Sequence, residues 1–66
     1  MALTPIARVW RLEKRLECLV YADPERQRWE VRVKRGTKVV QHLQVPDVAT
    51  AYATAMRWRR DAQWLS

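Results

Sequence analysis

Residues that could catalyse a reaction or hold a metal are few in this sequence. Cys18 and His42 are its one cysteine and one histidine, and Ser66 is its only serine. A nucleophilic site needs such a side chain beside a base, and a structural zinc site needs about four thiolate or imidazole ligands. The single glycine, Gly36, excludes a glycine-rich phosphate loop. We therefore expect no catalytic residue, metal site or cofactor, and a protein that is not an enzyme.

Without a catalytic or metal-binding set, positive charge is the most informative chemical property of the sequence. Thirteen Lys and Arg against seven Asp and Glu give the 66 residues a formal net charge of +6. This balance favours nucleic acid, anionic lipid or an acidic protein as partner. No window approaches the roughly 20 apolar residues of a membrane span, and no basic region precedes an apolar run at the start. We expect a cytoplasmic protein without a membrane role, folded as one small basic domain over 1–66.

The middle of the chain predicts a β-hairpin. Apolar residues alternate with polar ones before the only glycine, at Trp29, Val31 and Val33. If Gly36 takes the left-handed bulge position of a turn over residues 33–36, Val31 faces Val39 and Trp29 faces Gln41. That register places a mostly basic set together on the opposite face of the hairpin: Arg28, Glu30, Arg32, Lys38, Val40 and His42. Its cations could fork onto phosphates or guanine edges in a major groove.

The end of the chain predicts an amphipathic helix. Asp47 can cap a helix that begins after Pro46. Apolar residues recur there at helical spacing: Val48, Ala51, Tyr52, Ala55, Trp58, Ala62 and Leu65. A second candidate binding set, Arg57, Arg60 and Trp64, lies on the opposite side of this helix. Trp64 could stack on a base or contact a partner protein.

Two interpretations fit the beginning of the chain. As a helix, it would be capped by Thr4 with Pro5 in the first turn. As a strand, it would alternate its apolar residues inward from Trp10 onward. We place a strand at roughly residues 15–22 and leave residues 4–14 as a short helix or a strand extension. The outward side of this strand would expose Tyr21 as a candidate interface residue.

The predicted fold is therefore α+β: a three-stranded antiparallel sheet packed against a C-terminal helix, in the order β-β-β-α. The alternative is α-β-β-α, with a helical N-terminal segment. Three strands can present a hydrophobic face to a helix, whereas two make a poor platform. A domain of this size is marginally stable, and dimerisation would be one remedy.

Three segments resemble the DNA-binding domains of plant ethylene-response factors and the arm-binding domains of phage-type integrases. They are Trp29-Glu-Val-Arg-Val33, Gly36-Thr-Lys-Val-Val40 and Val48-Ala-Thr-Ala-Tyr-Ala-Thr-Ala55. The resemblance covers roughly residues 16–58. Both families place a sheet face in the major groove, so the resemblance implies that Arg32, Lys34 and Lys38 contact DNA.

Two functions from different classes follow. The first is a DNA-binding module of regulatory or mobile-element type, acting through the basic face of the sheet. The second is a protein-interaction or inhibitor module that could form a homodimer, with an interface that would include Trp64 and Tyr21. RNA binding ranks lower, because the glycine-flanked aromatic strand motif of the common RNA-recognition sheet is absent.

Overall fold

Four antiparallel strands followed by one helix form the fold in a computed structural model that describes residues 3–12 and 15–61. The elements are β1 (Thr4–Leu12), β2 (Leu16–Asp23), β3 (Arg28–Arg35), β4 (Lys38–Val45) and α1 (Val48–Asp61). Each strand pairs with its neighbour in the chain, and α1 packs on one face of the sheet. The α+β class and the C-terminal helix are confirmed, whereas the predicted three strands are four.

The additional strand is β1, so the helical interpretation of the N-terminal segment and the α-β-β-α alternative are wrong. As a strand, β1 brings Trp10 opposite Cys18 on β2 and gives β2 a neighbour on both sides. Register shifts lie between Pro5 and Ala7 and between Arg8 and Trp10. Such bulges interrupt the two-residue alternation of a strand, which explains why the sequence pattern was ambiguous.

The hairpin of β3 and β4 turns later than predicted. Val31 faces Leu43 rather than Val39, and the strands continue to the pair formed by Arg35 and Lys38. The longer strands add further ladder hydrogen bonds, and a register shift after Val33 leaves Val40 as an extra residue on β4. The left-handed conformation of Gly36 is confirmed, with a φ of 63°.

The core lies between α1 and the inward face of the sheet. Its buried residues come from every element: Trp10, Leu16, Cys18, Val20, Val31, Val33, Val45, Ala51, Ala55 and Trp58. Valine on the two central strands fits the pleated inward face, and alanine on α1 lets the helix approach it closely. Trp29, predicted as a core residue, is only partly buried and packs against this cluster.

The start of α1 is fixed by Asp47, as predicted. Its Oδ1 accepts a hydrogen bond from the backbone N–H of Thr50 at 2.7 Å. The backbone and side-chain hydrogen bonds from Thr50 lower the pKa of Asp47. Val48 and Tyr52, predicted on the buried stripe, are 39% exposed, and Thr54 is buried instead. The packed side of α1 is therefore narrower than the apolar pattern suggested.

Candidate nucleic-acid interface

The side of the sheet opposite α1, here called the outer face, carries rows of side chains that cross all four strands. One row contains Arg8, Leu19, Arg32 and His42, and the next contains Arg11, Glu17, Lys34 and Val39. Facing residues of an antiparallel pair lie about 5 Å apart, so each row forms a continuous strip. Cations thus occur on β1 and β3, the imidazole of His42 lies on β4, and β2 contributes no Lys or Arg.

Acidic side chains on the outer face are held by arginines in ion pairs. Glu17 pairs with Arg8 at 3.6 Å, and the Nε of Arg32 donates a hydrogen bond to Glu30. The Oδ2 of Asp23 accepts a hydrogen bond from Nη1 of Arg26 at 3.3 Å.

In each pair the carboxylate is the less accessible partner. The side chains of Glu30 and Asp23 are 7% and 5% exposed, whereas those of Arg32 and Arg26 are 31% and 68% exposed. For Glu17 and Arg8 the fractions are 30% and 54%. A ligand that approaches this face therefore meets guanidinium groups before carboxylates.

Tyr21 lies on the outer face as predicted, but it is only 8% exposed in the single chain. The guanidinium carbon of Arg32 lies 5.0 Å from the centre of its ring, and Pro5 is its pairing partner on β1. A cation over an aromatic face is attracted by the ring quadrupole and covers it. The ring of Tyr21 therefore supports the guanidinium of Arg32 at the surface of the outer face.

The structure places the predicted binding residues in separate groups. Arg28, Arg32, Lys34 and His42 lie on the outer face. Lys38 does not lie there. It pairs with Arg35, and Arg35 is on the inward side of β3 because side chains alternate along the strand from buried Val33. The predicted face of Lys38 is wrong because the turn falls later than expected. Arg57 and Arg60 are exposed on α1, on the other side of the sheet. Trp64 lies outside the described residues.

Sequence reasoning missed Arg8 and Arg11. They are three residues apart, and only the register shift between Arg8 and Trp10 brings both to the outer face. A strand without a bulge would place two residues at this spacing on opposite faces. The shared face of Arg8 and Arg11 was therefore not visible in the sequence, because the bulge that made β1 hard to recognise also sets their orientation.

Cys18 and His42 lie on opposite faces of the sheet. Cys18 is fully buried against α1, and burial raises the pKa of its thiol to about 12. His42 pairs with Arg32 on the outer face. Over residues 3–12 and 15–61, no group of three His, Cys, Asp or Glu could hold a metal ion. The thiol is a core group in this arrangement.

No protein-family model, curated protein or solved structure matches this chain. In the part of the chain that is described, α1 is too short and too polar to cross a bilayer.

Proposed function

We propose that the protein binds nucleic acid, and duplex DNA in particular, through the outer face of its sheet. The observation that carries this proposal is the unequal exposure within the ion pairs, because it leaves a cationic surface despite three carboxylates. Arg28 and Lys34 add charge there, and neither takes part in an ion pair among the described residues.

Duplex DNA fits this surface better than other polyanions do. Antiparallel strands can enter a major groove, where guanidinium groups fork onto phosphates or guanine edges. The strip through Arg8, Arg32 and His42 crosses the strands and offers several donors in a line. The resemblance to sheet-based DNA-binding domains points the same way. We propose a regulatory or mobile-element module that acts in the cytoplasm.

The test is a fluorescence-anisotropy titration with a labelled duplex and with its separate strands, at two salt concentrations. Duplex binding should be tighter, and its affinity should fall with salt by about 0.9 logarithmic units per phosphate contacted. The absence of duplex binding at low salt would refute the proposal. Equal binding of both forms would indicate that the protein contacts only the phosphate backbone and does not prefer duplex DNA.

Paired variants test the location. Arg28→Gln with Lys34→Gln removes two charges from the outer face, and Arg57→Gln with Arg60→Gln removes two from α1. We expect the first pair to reduce the salt slope by about two units, one for each phosphate that the variant no longer binds. The second pair should leave the slope nearly unchanged. Equal effects would show that net charge alone, rather than the outer face, attracts the DNA.

A protein-interaction module is the second candidate, and one feature of α1 favours it. Val48, Tyr52 and Met56 recur every four residues and are 39%, 39% and 46% exposed. Residues four apart lie on one side of a helix, so they form an apolar stripe beside the buried one. A protein that fails to bind DNA but loses a partner on Tyr52→Ala would support this alternative.

A further inference from the structure

The outward edge of β4 combines a strand that is unpaired in the described part of the chain with a lack of charge. Residues 39–45 contain no Asp, Glu, Lys or Arg, in a chain of which 30% of the residues are charged. Val39, Val40 and Leu43 are 38%, 38% and 43% exposed there. Among the described residues, no strand pairs with this edge. An uncharged, partly apolar edge strand is a template for pairing with another strand.

One backbone group shows that this edge offers hydrogen bonds. The N–H of His42 donates to the side-chain Oε1 of its neighbour Gln41 at 3.2 Å, at an exposed position. A local side-chain bond of this kind is readily exchanged for a ladder bond. The opposite edge of the sheet is β1, where Pro5 and two register shifts hinder pairing. Of the two edges described, β4 therefore has the features of one open to pairing.

We propose that a second copy of this chain pairs with β4, antiparallel and around a twofold axis perpendicular to the sheet. A second copy of the chain can meet this edge without bringing like charges together. Two chains of net charge +6 repel each other over most of their surfaces, but not along residues 39–45. An antiparallel pair of identical strands is self-complementary, as a twofold interface requires.

This symmetry has a consequence for the outer face. A twofold axis perpendicular to the sheet keeps both helices on one side and joins both outer faces on the other. The dimer itself depends only on β4, whereas its use as one extended DNA-binding surface rests on the proposed function. Measuring the oligomeric state without DNA tests the dimer independently of the proposed DNA binding.

The experiment is light scattering after size-exclusion chromatography over a concentration series, with His42→Pro as the test variant. Proline removes an N–H from the outward edge, where strands tolerate it, and blocks pairing there. His42→Ala is the matched control, since it removes the imidazole and keeps the N–H. We expect a mass approaching twice 7.9 kDa for the unchanged protein and His42→Ala, and dimerisation at least about tenfold weaker for His42→Pro.

A second pair of variants guards against a folding defect in His42→Pro. Val40→Lys places like charges across the proposed interface, and Ala53→Lys adds the same charge at an exposed position of α1. Only Val40→Lys should yield a monomer, with the far-ultraviolet circular dichroism of both unchanged. A monomer at all concentrations of the unchanged protein would overturn the proposal. A dimer that survives both β4 variants, or an open-ended oligomer, would overturn it equally.

Discussion

The indole Nε1–H of Trp10 donates a hydrogen bond to the backbone carbonyl oxygen of Ala55, with 2.6 Å between the nitrogen and oxygen atoms. Both residues are buried, and 45 positions separate them in the chain. Trp10 is on the edge strand β1, while α1 follows β4 at the other edge. The bond therefore ties α1 to the edge strand that is farthest from β4 in the sheet.

Trp10→Phe should destabilise the domain by about 2 kcal/mol. About 1 kcal/mol comes from the missing hydrogen bond and about 1 kcal/mol from the smaller ring in a packed core. Urea unfolding followed by circular dichroism measures this. Trp29→Phe is the control, since Trp29 is partly buried and donates no side-chain hydrogen bond to a described residue. Equal losses of stability would show that ring volume, not the bond to Ala55, decides the effect.

Gly36→Ala should destabilise the β3–β4 hairpin by about 1 kcal/mol, because a left-handed backbone is strained for residues with a Cβ. An added Cβ would also lie 2.6 Å from Nη2 of Arg15, but this far end of a flexible side chain can move away. Gly36→Asn should lose less stability, since asparagine tolerates the left-handed region. Thermal unfolding compares the two variants, and equal losses would assign the effect to Arg15 instead.

The cap at Asp47 predicts a pH dependence of defined sign. Its pKa is lowered by hydrogen bonds from Thr50, so its contribution to stability is present above the ordinary value of 3.8 and is lost as pH falls through the folded pKa. Asp47→Asn still caps α1 but does not titrate. The thermal midpoint of the unchanged protein should therefore fall relative to that of Asp47→Asn below pH 3.8. A difference that stays constant from neutral pH down to well below that value would contradict this.

Local signals account for the parts of the fold that the sequence predicts. The cap at Asp47, the helical spacing after it and the left-handed Gly36 each depend on a few neighbouring residues, and all three are confirmed. The register of β3 and β4 depends on how many pairs the whole hairpin can form. The identity of β1 depends on its bulges and on the bond from Trp10, which are long-range features.

The candidate site divides in the same way. Arg28, Arg32 and Lys34 share a face because of strand parity alone, so their common side was predictable. Lys38 was placed wrongly because its face depends on where the turn falls. Tyr21 is buried although it lies on the outer face, with Arg32 over its ring, and no sequence pattern reports such a side-chain contact.

Cys18 should resist thiol reagents while the protein is folded. Its side chain is fully buried, and a pKa raised from 9.0 to about 12 leaves about a thousandfold less thiolate at mildly alkaline pH. Reaction with a chromogenic disulfide should then occur only through unfolding, and it should be complete within minutes in denaturing urea. Rapid labelling of the native protein would contradict the placement of Cys18 in the core.

Glu30→Gln tests whether the acids on the outer face anchor arginines rather than contact a ligand. The carboxylate of Glu30 is nearly buried beside Arg32, so its neutralisation should cost about 1 kcal/mol of stability. DNA affinity should nevertheless rise several-fold, because a cationic surface loses a negative charge while Arg32 keeps its place over Tyr21. Asp61→Asn makes the same charge change at the end of α1 and should raise the affinity less. Anisotropy titrations at one salt concentration compare the three proteins, and weaker binding by folded Glu30→Gln would mean that this carboxylate itself takes part in binding.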